Sequence, residues 1–278
     1  TLFRDTYQLN LDNLVKEKCE TLFMPGCSLA NEAPQLMPGT INWLANQGEG
    51  EVGLLLDCCG MPLFEMGLTE RAERYENLLW EKIKKTGAKK MVIGCPNCYH
   101  QLITRGLEED VEVISMLELM AKSGLRAPVT GSQKITIHDS CPARHNDMGK
   151  WARQVLSNYE TVEMLHHSEN TICCGSGGVV SMVDPELHDN RARNRIQEFK
   201  DTGTDTCVTY CMACCNTLSQ VEDRGSVKHI LELIFDQPVD HAEYQGMVQA
   251  MWEGEWGAYN DYRLQNSKMI SECSEVVK

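Results

Sequence analysis

The sequence predicts an α/β fold of two tandem, pseudo-symmetric Rossmann-like repeats with parallel sheets, followed by a C-terminal helical tail. Three observations carry this expectation. The cysteines recur at a nearly constant displacement, short β-like runs alternate with helical ones, and aromatic residues crowd a final acidic segment outside the recurrence.

The recurrence is plain from the numbering. Cys27, the pair Cys58–Cys59, Cys95 and Cys98 are followed by Cys141, the pair Cys173–Cys174, Cys211 and Cys214, displaced by 114, 115, 116 and 116 residues. Self-similarity at a fixed offset marks an internal duplication. The flanks agree: KKMVIGCPNC matches DTCVTYCMAC, and Gly60 matches Gly175. The repeats are expected to occupy residues 20–125 and 132–235, with the tail at 236–278.

In the first repeat, CETLFMPG reads as a strand ending at Cys27 and EVGLLLD as one ending at the first CC pair. TERAERYENLLWEKIKKTG reads as a helix, with Thr69 as its N-cap and Gly87 as its C-cap. KKMVIG is a strand ending at Cys95. The second repeat follows suit with KITIHDS and ETVEML as strands, PELHDNRARNRIQEFKDTG as a helix and DTCVTY as a strand before Cys211. Apolar strands alternating with helices imply parallel sheets. Ligands of such sheets gather beyond the carboxyl ends of the strands. Several cysteines stand at those ends, so each repeat should bring five sulfurs to one place. After Cys215, VKHILELIF reads as an amphipathic helix. In the tail, Trp252, Trp256, Tyr259 and Tyr262 fall near helical spacing. They are expected to pack on the chain's own core, a docking surface being the other reading.

A net charge of −14 argues against a nucleic-acid or anionic-membrane surface. No apolar run approaches bilayer length, and TLFRDTYQLN lacks a signal-peptide pattern, so the expected compartment is the cytoplasm. Fourteen cysteines in such a compartment point to metal or redox groups instead of disulfides. Adjacent cysteines pair with each other only under strain. Zinc is satisfied by four ligands, and neighbouring Cys58 and Cys59 fit poorly on one small ion. A multi-iron cluster spreads its bonds over several irons, so adjacent thiolates can serve different ones. The ferredoxin run C-x2-C-x2-C-x3-C-P is absent from this sequence. Cys19, Cys207, Cys215 and Cys273 are expected to be non-ligands.

The pattern C–x(30–40)–CCG–x(30–40)–C-x-x-C, present twice, resembles the cysteine-rich CCG domain of the heterodisulfide reductase B- and D-subunit family. Iron–sulfur subunits of glycolate oxidase and anaerobic glycerol-3-phosphate dehydrogenase share that domain. The resemblance covers about residues 20–235, through PGCS, CCGMP, CPNCYHQL, HDSC, CCGSGG, DPELHDNRARNRIQEFKDTG and VKHILEL. It implies one noncubane [4Fe–4S] cluster on Cys27, Cys58, Cys59, Cys95 and Cys98. A second is implied on Cys141, Cys173, Cys174, Cys211 and Cys214, with zinc in one repeat as the alternative. Gly60 and Gly175 would let backbone approach the inorganic core, with Gly177 and Gly178 extending that clearance. The helix after each C-x-x-C would point N–H groups at cluster sulfides. Pro142 stands where relatives place His, and Met61–Pro62 follow the first CCG in place of further glycine.

The implied activity is reduction of a disulfide held between the two clusters, two electrons and two protons releasing two thiols. His138, Asp139 and His145 are candidate proton donors by proximity to Cys141. The first two serve equally well as a strand-end pair fixing a loop. Arg144 and His145 offer positive charge to an anionic substrate, or else lie on a solvated surface. CCGSGG does not open a dinucleotide motif, so electrons would come from a flavin- or ferredoxin-type partner subunit. Two other functions compete: an electron relay in a flavin-linked 2-hydroxyacid-type dehydrogenase, and a zinc-stabilised interaction scaffold.

Overall fold

The computed structural model of the protein describes residues 9–105, 110–177, 179–221, 226–251 and 253–266. Two four-stranded parallel sheets organise it. The first has β1 (Thr21–Met24), β2 (Val52–Leu54), β3 (Lys90–Ile93) and β4 (Glu112–Ser115) in the order β2-β1-β3-β4. The second has β5 (Lys134–His138), β6 (Glu160–Thr161), β7 (Cys207–Thr209) and β8 (Val227–His229) in the order β6-β5-β7-β8. One strand order, met twice, is what a duplicated unit requires.

Around the first sheet lie α1 (Cys27–Glu32), α2 (Leu36–Ala45), α3 (Met61–Glu65), α4 (Thr69–Thr86), α5 (Pro96–Arg105) and α6 (Met116–Lys122). Around the second lie α7 (Met148–Val155), α8 (Val180–Val183), α9 (Pro185–Asp201), α10 (Met212–Val221) and α11 (Ile230–Phe235), then α12 (His241–Met251) and α13 (Gly254–Gln265). On α4 the buried residues are Ala72, Glu76, Leu79, Ile83 and Thr86, one stripe at helical spacing. Gly87 ends the helix at φ 75° in the left-handed region. Leu68, not Thr69, holds the N-cap position, and no side chain caps that end. On α9 Asp184 is the cap, its carboxylate accepting from the Leu187 N–H at 2.9 Å.

Three sequence expectations change. Both sheets gain a fourth strand, β4 and β8, that the sequence reading lacked. VKHILELIF divides: Val227–His229 pair with β7, and only Ile230–Phe235 are helical. His229 and Glu232 form a capping box at that junction, which stops the strand and starts the helix. The tail is helical, but Trp256, Tyr259 and Tyr262 are exposed, so packing on the core is not what these rings do. Gly257 is the one buried residue among those of α13 whose burial is described, and Trp256 meets Tyr259 edge-on with centroids 6.1 Å apart. Trp252 and Cys273 lie outside the described residues.

The repeats interlock reciprocally. Helix α1, which opens at Cys27, packs on α10, which carries Cys214. The 3-10 turn Cys141–His145, which stands where α1 stands in the first repeat, packs on α5, which carries Cys98. Helix α6 packs on α7, α2 on α11, and α12 returns from the tail onto α1. Tyr99 of α5 reaches Trp151 of α7 edge-on at 6.4 Å.

Each strand end that delivers a leading cysteine is held differently. After β1 come Pro25 and Gly26, the latter at φ 84°, ψ 158°, a conformation open essentially to glycine alone. A Cβ there would stand 2.4 Å from Cys95 Cβ. After β5 the Asp139 carboxylate accepts from Arg153 Nη1 and Nη2 at 2.9 and 2.8 Å, from the Ser168 N–H at 2.6 Å and from the Tyr210 hydroxyl at 3.0 Å. Its carbonyl accepts from the Thr171 hydroxyl at 2.7 Å.

Gly26→Ala should therefore cost at least about 1–3 kcal/mol in backbone strain before the clash with Cys95 is counted. Urea unfolding of the purified chain reads it. Arg153→Ala strands a carboxylate whose side chain is 0% exposed, and should cost about 3–5 kcal/mol by the same measurement.

Candidate metal centre

The ten paired cysteines form one continuous run of thiol contacts. The Cys27 thiol interacts with that of Cys58, which interacts with Cys59, then Cys98, then Cys95. Cys95 interacts with Cys211, which interacts with Cys214, then Cys174, Cys173 and Cys141. The order is a palindrome in the repeat numbering: Cys27 matches Cys141 at the two ends, and Cys95 meets its own counterpart Cys211 in the middle. Among the described cysteines none is in a disulfide. Cys19 and Cys207 are buried in the core apart from the run. Cys215 faces away to His241 Nε2 at 3.4 Å, and His241 Nε2 lies 3.1 Å from Glu232 Oε1.

Local backbone explains the convergence. In each CC pair both sulfurs interact with an N–H two residues ahead: Cys58 with Gly60, Cys59 with Met61 and Cys174 with Ser176, and Cys173 accepts from the Gly175 N–H at 3.3 Å. Successive N–H groups aimed into one concavity make a nest for negative charge. Cys95 and Cys211 sit immediately before α5 and α10, so each C-x-x-C opens its helix and is not followed by it. Cys95 accordingly accepts from the N–H groups of Asn97 and Cys98 at the positive end of α5.

The glycines act through geometry at different surfaces. Gly60 has φ 78°, and a Cβ there would only touch the Ala72 carbonyl and the Tyr75 ring at 3.8 Å, whereas Gly175, at φ 96°, would bring a Cβ within 2.8 Å of the His188 carbonyl of α9. The packing at Gly175 is thus against a helix. Gly177 has open space with only Glu65 Oε1 at 4.0 Å, and Gly178 lies outside the described residues.

The candidate proton donors separate. Asp139 is an ionised anchor: hydrogen bonds and charge from Arg153 outweigh its burial and hold the carboxyl below its usual range. His138 is fully buried, and burial followed by the Arg195 charge pushes it down to about 3, so the ring is neutral. Its Nδ1 accepts from Arg195 Nε at 2.8 Å, and the ring lies with the Cys174 and Cys214 sulfurs in a group whose donor atoms are all within 4.8 Å of one another. His145 is exposed and stacks on His100, centroids 5.3 Å apart. Arg144 is tied back to the chain, donating through Nε to the Thr171 carbonyl at 2.8 Å.

Sequence reading missed Arg195 and Glu32. Arg195 occupies the buried stripe of α9 beside Ala192, Ile196 and Phe199, and a charge on an apolar stripe was the available signal. Glu32 ends α1 near Cys27 and Cys95, where burial and then those sulfurs push its carboxyl up to about 8.

Ten thiols so close resist ionising together. Neighbouring sulfurs, then burial, push Cys27, Cys98, Cys141 and Cys214 up, while neighbouring sulfurs hold Cys59, Cys95 and Cys173 down. A polynuclear cation removes that conflict, because a coordinating thiol is deprotonated outright. An all-sulfur donor set this large suits iron–sulfur chemistry.

Comparison with known proteins agrees with this geometry. The chain is 28% identical over 240 residues to the D-subunit of the dihydromethanophenazine:CoB–CoM heterodisulfide reductase of Methanosarcina acetivorans, covering 80% of this chain and 58% of the relative. It is 26% identical over 203 residues to an uncharacterised iron–sulfur protein of Methanocaldococcus jannaschii, covering 71% and 40%. The chain thus spans about half the length of these curated relatives. A hypothetical protein from Helicobacter pylori shares the fold, with a TM-score of 0.52 at 10% identity over 87% of this chain and 56% of that one. The cysteine-rich domain called CCG matches residues 21–103 and again 135–219. With two matches spanning most of both sheets and all ten paired cysteines, the chain belongs to the CCG cysteine-rich domain family and carries the domain twice.

Proposed function

We propose that the chain is an iron–sulfur redox subunit that reduces a disulfide, each five-cysteine set holding a noncubane [4Fe–4S] cluster. In this reading residues 20–125 and 132–235 are the two cluster-bearing units and 236–278 is an extension. The palindromic thiol run carries the reading: neither set has lost a member, and the two meet at Cys95 and Cys211. Similarity to heterodisulfide reductase subunits supports the same conclusion.

The clusters supply electrons one at a time, delivered by a flavin- or ferredoxin-type partner. The protein's residues do the rest. Cys27 is exposed and Cys58, Cys95, Cys141 and Cys173 are half-buried, so both ends of the run and Cys95 at its middle reach solvent. A small disulfide approaches there and needs two electrons and two protons to leave as two thiols. Asp139 keeps its charge in the Arg153 network and holds the Cys141 turn in place. His145, exposed on that turn, is positioned to pass protons from solvent. No described helix is long and apolar enough to cross a bilayer, so electrons arrive through a docked protein surface in this reading.

Two measurements test this. Anaerobically purified protein should carry about eight irons and matching sulfide per chain, as two four-iron clusters require. One or two zincs without sulfide would instead establish the scaffold. Cys174→Ala should lose or convert one cluster, with iron falling by up to about half, and leave the other's EPR signal intact. Loss of neither signal sinks the ligand assignment. Added dithiol should produce a new paramagnetic state in a disulfide reductase, and a pure relay should show none.

A further inference from the structure

The two sulfur sets have matching ligands and unlike surroundings. Registering the repeats by their cysteines places Met24 opposite His138, and registering the helix ends at Gly87 and Gly203 places Leu79 opposite Arg195. Met24 and Leu79 are apolar and fully buried. Where the first repeat keeps that pair, the second keeps a fully buried imidazole and guanidinium joined by a 2.8 Å hydrogen bond.

The direction of that bond decides the state of the ring. A guanidinium only donates, so His138 Nδ1 must accept, and the ring proton must sit on Nε2. That Nε2–H is buried and has no hydrogen-bond partner, sulfur included. An orphan buried donor costs about 1–3 kcal/mol. The sulfurs beside the ring are those of Cys174 and Cys214, grouped with a ring nitrogen within 4.8 Å and not hydrogen-bonded to Nε2. Arg195 is itself held from behind, its Nη1 donating to Glu198 Oε2 at 2.7 Å, while Glu198 Oε1 meets His166 Nδ1 at 2.7 Å. Arg191 of α9 adds positive charge near Cys173, its Cβ lying 3.2 Å from where a Gly175 Cβ would be. Beside the first set stand the Glu32 carboxyl, with a buried Oε2 that has no partner, and the buried His229, which interacts with Cys95.

We propose that the two centres are electronically unequal: Arg195 locks His138 in the tautomer whose unpartnered Nε2–H is left to donate to a Cys174 or Cys214 sulfur once these hold a cluster, giving the second centre the higher reduction potential. This rests on the reading of both sets as iron–sulfur clusters. An N–H on a ligand sulfur withdraws electron density and favours the reduced form, the established way hydrogen bonds tune such centres. The first centre, lined at the matching position by Met24, lacks that stabilisation. As the applied potential falls, the second centre is therefore reduced before the first. Arg195 is a positioning residue that acts through His138.

Anaerobic redox titration of the iron-loaded chain, read by low-temperature EPR, tests this without any activity assay. The wild-type protein should show two separate midpoint potentials, and Cys174→Ala should remove the higher. His138→Met, which installs the first repeat's residue, should lower that potential by at least tenfold in the reduction constant, about 59 mV for one electron. His138→Gln, which keeps an N–H at similar reach, should retain most of the wild-type value. Arg195→Met, with His138 in place, should lower the same potential, and it decides the matter if His138→Met fails to load its second centre. Equal wild-type potentials overturn the proposal, as does Cys174→Ala removing the lower one. Unchanged potentials in loaded His138→Met also overturn it. A wild-type chain without two iron clusters overturns the cluster reading as well, and iron and sulfide analysis identifies that outcome separately.

Discussion

The contact between Cys95 and Cys211 is the constraint on which the site depends. It exists only because the repeats dock reciprocally, α1 on α10 and the Cys141 turn on α5. Each partner in these pairs carries cysteines, so the interface that holds the two halves together also closes both sulfur sets. A unit folded alone would keep its own CC nest and C-x-x-C helix end but would lack the opposite wall. Duplication is therefore more than a doubling of capacity here. Self-complementary docking of like units places equivalent groups around one local axis, and a residue near that axis meets its own counterpart.

Sulfur crowding sets the second requirement. Thiols in mutual contact oppose each other's ionisation, and burial deepens the conflict. The protein's answer is mostly main-chain: N–H groups two residues ahead of each vicinal cysteine, and helix starts just after Cys95 and Cys211. Backbone donors are fixed by the turn and cannot swing away or titrate. This is why the CC pair is followed by glycine at positive φ, since the turn that aims those N–H groups requires it at Gly60 and Gly175.

Much of this was legible in the sequence, and the reasons are physical. A constant offset between cysteines survives because metal-binding geometry tolerates little drift, so the two sets could be read by position. Strands β1, β3, β5 and β7 were legible as apolar runs ending at or near cysteines. Strands β4 and β8 were not: EVIS and VKH are short and run straight into helices, so the pattern of the helix masks them. Pairing of Cys95 with Cys211 depends on a docking angle that no local pattern encodes. Exposure of the α13 rings is hidden from the sequence for a related reason. Spacing identifies a helical face, but only the tertiary fold shows whether anything covers it.

Comparison of the two strand ends shows what selection on such a site can change. After β1 the chain is directed by covalent means, a proline with fixed φ and a glycine in a region closed to other residues. After β5 the same place holds Asp139 and Ser140, and direction comes from hydrogen bonds to Arg153, Ser168 and Tyr210. Both solutions deliver a cysteine to the outer end of its thiol run. They differ in what they bring with them: the first leaves the apolar Met24 at the strand end, while the second imports charge and hydrogen-bond donors up to the sulfurs. Once the ligands are fixed, the surroundings of each copy are free to diverge. The polar lining of the second copy, with His138 and Arg195 buried beside Cys174 and Cys214, is a divergence that costs desolvation. A buried guanidinium and imidazole in place of Met24 and Leu79 are worth that cost only if the field they set at the sulfurs is used.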